Sequence, residues 1–407
     1  MPSRMNRWLP VVLWTAVIYT TVPFVRTLRE WYVARWDPAT ITWAVAATLT
    51  CGALAAALIL GRRSTSLRPG ALLWIITVSG ALVLWTFSLR RSPEEAVHFL
   101  EYGVLALLIH RALRPVMDDE LVFVAGVLIG TLIGTVDEII QWLSPQRYWD
   151  WRDLVLNGGA GALIQLALWR IVPPLPARWS VPSARIVVRL AAVTLLMITL
   201  CLANTPRVVA RYAPHLPGAD HLMTSHNPMA EYGHRHELPG LGIFKSRLDL
   251  EAIADEDRRR AADVAATVDR YRRRYGEFLD TWPVADDGFT YEVRVHLFAR
   301  DRNLARAREQ GASGALAREN ASVAWAENRL VEELYPHTLA ASAYAWRDRQ
   351  RHRADELRDP GHVFSSAAAS HLITFASEGV LRALLLSVIA LLIVTDLALG
   401  RYQRRRI

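Results

Sequence analysis

Long uncharged apolar runs constrain this chain more than any other feature. Residues 8–25 hold no charged side chain over 18 positions, 38–61 none over 24, and 69–89 none over 21. Each run is long enough to cross about 30 Å of hydrocarbon at a rise of about 1.5 Å per residue. Weaker runs near 94–113, 120–143 and 154–172 carry polar residues at one end, and two more, near 186–204 and 379–399, complete a set of eight. A soluble core hides one or two such helices, not eight. The pattern predicts an all-α polytopic membrane protein with about eight transmembrane helices. The first run follows Arg4 and Arg7, as a signal peptide would. Its apolar stretch exceeds a usual h-region and no A-x-A site follows, so it reads as a retained span.

Eight spans place both termini on one side. With the N-terminus inside, arginines on the inner segments outnumber those on the short outer loops by about two to one, which predicts cytoplasmic termini in the cell membrane. The segment 204–378 then lies outside. It reads as a mainly helical extracytoplasmic α(+β) domain between helices 7 and 8, with 1–203 as the transmembrane region before it and 379–407 as a last span with a basic tail. Within the domain, 249–282 reads as one long helix with an apolar stripe through Ile253, Val264, Val268, Tyr271, Tyr275 and Phe278. Alternation of Phe289, Tyr291, Val293, Val295 and Leu297 predicts a half-buried strand over 289–299. Helices are expected over about 314–335 and 337–357, before Pro360-Gly361 breaks the chain.

The net charge of +8 first invites a nucleic-acid reading. The segment 204–378, however, carries 24 Lys/Arg against 26 Asp/Glu, and Lys245 is the only lysine in the chain. The positive excess therefore sits in the membrane part, as topology code, and no nucleic-acid partner is expected. Two cysteines, Cys51 and Cys201, both inside apolar runs, exclude a disulfide scaffold.

Charged groups inside spans are costly and persist where they face a cavity or a partner. Three spans have them at the expected outer end. The fourth opens EEAVHFLEYG, which puts Glu94, His98, Glu101 and Leu105 on one helix face with Tyr102 beside them. The fifth contains GVLIGTLIGTVDEIIQW. Its Gly126, Gly130 and Gly134 stripe is a close-packing surface, within the chain or between copies, and the stripe continues to Glu138 with Asp137 and Gln141 nearby. The loop SPQRYWDWRD supplies Arg147 and Asp150. The sixth span then places Asp153, Asn157 and Gly161 on one face.

His98-x-x-Glu101-Tyr102, then Gly134-x-x-Asp137-Glu138-x-x-Gln141, then Arg147, Asp150, Asp153, Asn157 and Gly161 in this order resemble the VanZ-like family of membrane proteins. The resemblance covers about residues 8–172, with its motif block at 94–161. The family's namesake is associated with resistance to the glycopeptide teicoplanin in Gram-positive bacteria, so the resemblance implies a bacterial cell-envelope role. It does not define a reaction, and it does not account for the seventh span, the outer domain or the eighth span.

Three readings of the cluster stand open. In a structural one, Arg147 pairs with Asp137 or Glu138, Asp153 caps the sixth span, and the polar groups hold three helices in register. In a binding one, His98, Glu101, Tyr102, Asp137, Glu138, Gln141, Arg147, Asp150, Asp153 and Asn157 form an outward cup for an envelope lipid. The ligand would be a phospholipid head group or a lipid-linked glycan, with Arg147 and Arg152 on phosphate and Trp142, Tyr148, Trp149 and Trp151 at head-group level. In a catalytic one, His98 is the acid/base, with Glu101, Asp137 or Glu138 as partners or hard-metal ligands. Neither an H-E-x-x-H nor a G-x-S-x-G motif is present. The working expectation is recognition or handling of an envelope lipid or glycan at the outer face, without a cofactor. Its rivals are a membrane enzyme built on His98, Glu101 and Glu138, and a scaffold for envelope assembly.

Ten of the twelve histidines fall in the soluble segment. His215, His221, His226, His234 and His236 crowd together, and His234-x-His236 is the most ligand-like pair, because side chains two apart on an extended chain point the same way. A solvated loop is the plainer reading. His296 is expected on the polar face of the 289–299 strand. Arg382 and Asp396, near the ends of the last span, are expected to snorkel.

Overall fold

The structure, a computed structural model, describes residues 4–62, 70–90, 92–145, 147, 149–172, 175, 179–222, 228–284, 286–309 and 314–405. Two compact units emerge: Met1–Leu200 together with Leu384–Ile407, and Cys201–Ala383. The chain runs through α1 (Arg4–Thr21), α2 (Val25–Val33), α3 (Ala39–Arg62), α4 (Ala71–Ser88), α5 (Val97–Leu113), α6 (Leu121–Leu143), α7 (Trp151–Ile171) and α8 (Val181–Ala203). The second unit adds α9 (Pro206–Tyr212), β1 (His234–Leu238), β2 (Gly242–Ser246), α10 (Leu250–Arg270), α11 (Tyr275–Thr281), α12 (Gly288–Glu309), α13 (Ala315–Leu334), α14 (Pro336–Ala341), α15 (Asp348–Leu357) and β3 (Phe364–Ser365). Helix α16 (Glu378–Arg404) ends the chain's regular structure.

Among the described residues, seven helices are long and apolar enough to cross a membrane: α3 to α8, with α5 extended back to Pro93, and α16. The first apolar run is not one straight span. Pro23 stands in a short 3-10 turn, Val22–Phe24, where its ring removes a backbone donor and restricts the residue before it. The chain bends there by 66°, and only if the bent pair α1/α2 is one span does the number of spans become eight. After the bend, α2 carries charge, and Arg29 Nε lies 2.7 Å from Glu94 Oε1 at the start of the α5 segment.

Helix α5 is the centre of the membrane unit. Phe99, Tyr102, Leu105 and Ile109 recur at helical spacing and are fully enclosed. Val122 and Ala125 of α6 pack against them, as do Leu156 and Ala160 of α7. The small-residue stripe of α6 serves within the chain. A methyl group on Gly126 would stand 2.6 Å from the Gln165 amide of α7, and one on Gly134 would stand 3.0 Å from Asn157 Cβ and 3.3 Å from the Tyr102 ring. Gly130 has open space. Polar side chains stitch the bundle to backbone carbonyls: Trp14 Nε1 donates to Glu101 O and Tyr19 OH to Ile133 O, while Gln165 Nε2 donates to Ala106 O, each at 2.9 Å.

Asp396 does not snorkel alone. It accepts from Arg185 Nε at 2.8 Å and Arg189 Nη2 at 3.1 Å, which ties α16 to α8, while Arg382 pairs with Glu378 on its own helix. A charged side chain within a span persists with such partners.

The second unit is mainly helical with a three-stranded sheet ordered β1-β2-β3. β1 and β2 form an antiparallel hairpin in which His236 faces Phe244, and β2 pairs with β3 in parallel. The hairpin turn needs glycine: Gly240 has φ +73°, and Gly242, at φ +138°, lies against the Phe364 carbonyl. Phe244, Ile253, Val264, Val268, Val293, Leu297, Leu330 and Tyr335 form the core between sheet and helices.

Three expectations for this segment change. The strand expected over 289–299 is part of α12. The helix expected over 249–282 breaks after Arg270, and α11 starts again at Tyr275. The helix expected over 337–357 is two, α14 and α15, separated by 342–347. Of the crowded histidines, His234 and His236 lie on β1, whereas His215 and His221 lie in short 3-10 turns, Ala213–His215 and Asp220–Leu222.

Candidate functional site

The polar residues singled out on the three central spans do meet. The N-terminal end of α5, the C-terminal end of α6 and the N-terminal end of α7 share one end of the bundle, so His98, Glu101 and Tyr102 face Asp137, Glu138 and Gln141, with Asp153 and Asn157 completing the group. Glu138 and Asn157 are 0% exposed, Asp137 1% and Gln141 2%. The close approach of α6 to α7 at Gly134, set by the absent side chain, brings Asn157 beside Tyr102.

Half of the cluster is satisfied internally. Tyr102 OH donates to Asp137 Oδ2 at 3.1 Å. Glu138 accepts from Gln141 Nε2 at 2.9 Å and from the Asp150 backbone N–H at 3.4 Å. The structural reading pairs Arg147 with Asp137 or Glu138; its described bond goes instead to Gln141 Oε1. Asp150, not Asp153, caps α7, accepting from the Arg152 N–H at 2.7 Å. Arg152 turns to Glu95, 3.2 Å away, and so is engaged by a carboxylate. His98 Nδ1 stands 3.4 Å from Glu101 Oε2, within ion-pair distance but without a hydrogen bond.

The other half is not satisfied. Asn157 has no hydrogen-bond partner on either amide atom, and neither Asp137 Oδ1 nor Asp153 Oδ1 has one. Leaving a buried donor or acceptor unpaired costs about 1–3 kcal/mol each, more when charged. Such groups in a folded protein call for an explanation, and a binding role is one. Four carboxylates, Glu101, Asp137, Glu138 and Asp153, surround one imidazole, and the nearby arginine is turned to an amide. The cluster therefore favours ligand groups that donate hydrogen bonds. Around it stand Trp142, Trp149 and Trp151, with Trp149 and Trp151 edge to face at 5.0 Å. Tyr148 lies outside the described residues.

Among the described residues no three His, Cys, Asp or Glu side chains are placed to hold one ion. His234 and His236 do point the same way from β1, with ring centroids 5.9 Å apart, but His236 Nε2 is within 3.0 Å of the Leu248 carbonyl. His226 lies outside the described residues. His296 is not on a polar surface: it is buried in α12, with Nδ1 2.7 Å from Glu327 Oε2. The sequence reading missed Trp14, Tyr19 and Gln165, whose bonds to carbonyls position the α5 and α6 ends. Nothing marks them in the sequence beyond being polar or aromatic within apolar runs.

Fold and site together define a class: a polytopic helical protein with an acid-rich, partly unpaired polar cluster at the shared end of three adjacent spans. Residues 61–173 match the family model described as VanZ/LLP1, so this part of the chain, α4 to α7 with the whole cluster, is VanZ-like. With its long apolar helices, the chain is a multi-pass membrane protein. Helices α1, α2 and nearly all of α3 precede the matched segment, a narrower span than the 8–172 of the resemblance. No curated protein and no solved structure matches the chain.

Proposed function

We propose that this protein recognises the head group of a cell-envelope lipid or lipid-linked glycan through the α5–α7 cluster, from the outer face of the membrane. The observation that carries the reading is Asn157, wholly buried with both amide atoms unpartnered, in the same cluster as the unpartnered Asp137 Oδ1. Hydroxyl and amine groups of a head group would donate to Asn157 Oδ1 and Asp137 Oδ1, a head-group oxygen would accept from Asn157 Nδ2, and the tryptophans of the α6–α7 connection suit the head-group level. The arginine excess on the opposite loops supports cytoplasmic termini, and 204–378 would then lie outside. A role in glycopeptide resistance is the extension the family name invites.

An enzymatic variant of the reading rests on one observation: His98 Nδ1 faces Glu101 Oε2, an arrangement that fits an acid/base. His98→Ala and Glu138→Gln separate the two. Loss of lipid from the purified protein in these variants supports a binder. Retention of lipid with its accumulation unprocessed supports an enzyme.

A further inference from the structure

The second unit contains a cleft of about 730 Å³ between the β1–β2 turn and helices α13 and α15. This is the size of a small-ligand site, about 300–1,000 Å³. Two tryptophans, Trp325 and Trp346, stand in its wall. Each ring is fixed by an arginine over one face: Arg358 lies 4.3 Å from the Trp325 centroid and Arg300 lies 4.9 Å from that of Trp346. Trp346 is held further by its Nε1 donating to Asp301 at 3.0 Å. Arg300 also donates to Asn328 Oδ1 at 3.2 Å, orienting another amide of the wall.

Pro239, Gly240 and Leu241 of the turn close one side, and the helical side is polar. Glu332, Glu333, Asp348 and Asp355 are four carboxylates against Arg329 and Arg351. Both arginines are already engaged, Arg351 with Glu332 at 3.0 Å and Asp348 at 3.3 Å, and Arg329 with Glu332 at 3.8 Å. Even with Asp355 paired to Arg358 at 2.7 Å, a polyanion would still meet net negative charge there, and an acyl chain would leave the carboxylates without a donor. A neutral sugar fits both features: its C–H face packs on an aromatic ring, and its hydroxyl rim donates to carboxylates.

From this we infer that the cleft between the β1–β2 turn, α13 and α15 is a binding site for a neutral oligosaccharide, stacked on Trp325 and hydrogen-bonded to Glu333 and its neighbours. The site is separate from the membrane cluster and does not depend on the function proposed for it.

The test is titration of the full-length protein in lipid nanodiscs with chitotetraose and cellotetraose, read by saturation-transfer NMR and calorimetry, with tetralysine as a cationic comparison. Wild type should bind at least one tetrasaccharide. Trp325→Ala and the exposed Glu333→Ala should each weaken binding at least tenfold. Trp325→Ala also removes core packing and lowers the unfolding midpoint, so the decisive pair is Glu333→Ala, with unchanged thermal unfolding, and Trp325→Phe, which should restore most of the binding. Asn157→Leu in the membrane cluster should leave sugar binding intact, so that loss of one site is told apart from loss of the other. The inference is overturned if wild type binds neither sugar, if Trp325→Ala and Glu333→Ala bind as wild type does, or if tetralysine binds the cleft and the sugars do not.

Discussion

Tyr102 donates to Asp137 Oδ2 at 3.1 Å, a bond from α5 to α6 between two side chains that are each 1% exposed. It links the two helices inside the cluster, and Asp137 keeps its other oxygen unpaired. A hydrogen bond to a charged group contributes about 1.5–3 kcal/mol. Tyr102→Phe should therefore lower the stability of the membrane unit by about that amount, measured as a reduced midpoint of thermal unfolding in detergent. A midpoint equal to wild type would show that the bond contributes nothing.

The glycine stripe makes a graded prediction. Gly126→Leu forces the side chain into the Gln165 amide and displaces the bond from Gln165 to Ala106 O. Overpacking of this kind costs about 1–3 kcal/mol. Gly130→Ala meets nothing within 4 Å, so it should be tolerated or slightly stabilising through helix propensity. Parallel unfolding curves of the two variants check this. Equal destabilisation would mean that the stripe acts as a whole rather than at its two contacts.

The soluble unit should carry a pH signature of its own. Burial alone would push the His296 imidazole down, but the charge and hydrogen bond of Glu327, with Glu292 behind it, hold it above the usual histidine range. A raised folded value means that this stabilisation is full below about pH 6.5, the ordinary histidine value. It is lost as pH rises through the folded value. Glu231 works the other way. Burial raises it, but the hydrogen bond to His371 and the charge of Arg247 hold it below the usual carboxylate range, so its share is lost as pH falls through that lower value. Protection factors of the α12 and α13 amides in the full chain, taken relative to the intrinsic base-catalysed exchange rate at each pH, should be largest at mildly acidic pH and should fall toward alkaline pH. Glu327→Gln should abolish the alkaline limb. An unchanged limb in that variant would refute the assignment to His296.

Much of the membrane part was legible because lipid leaves few choices: uncharged runs of spanning length, with polar residues at helical spacing, placed His98, Glu101, Glu138 and Asn157 at one end. The partners were less so. Arg147 bonds to an amide rather than a carboxylate, and Asp150 takes the capping position because it sits just before α7 while Asp153 sits within its first turn. In the soluble unit, the alternation over 289–299 misled because its polar positions are not outward-facing. Glu292 bonds to Ser246 and Arg247, Arg294 to the Tyr271 carbonyl, and His296 to Glu327. A helix buried on every side, with its polar groups paired internally, removes the contrast from which periodicity is read. Asp396 and its two arginines are about 200 residues apart in the chain, and no local pattern announces such a pair.

Asn157→Leu separates stability from function. Replacing an unpartnered buried amide by an apolar group of similar volume is neutral or stabilising for folding. If the residue serves only the bundle, nothing else should change. If it serves a ligand, binding should fall while the unfolding midpoint holds or rises. The variant is expected to show this second pattern. A lowered midpoint would indicate a structural partner for the amide.

The most direct test of the central claim is mass spectrometry of the lipids that remain bound to the purified full-length protein. Wild type should retain a lipid with a hydroxyl- or amine-rich head group at near-stoichiometric level, and Asn157→Leu and Arg147→Ala should lose it while staying folded. A wild-type protein carrying only bulk membrane lipid, or variants with the same bound lipid as wild type, would contradict head-group recognition by the α5–α7 cluster.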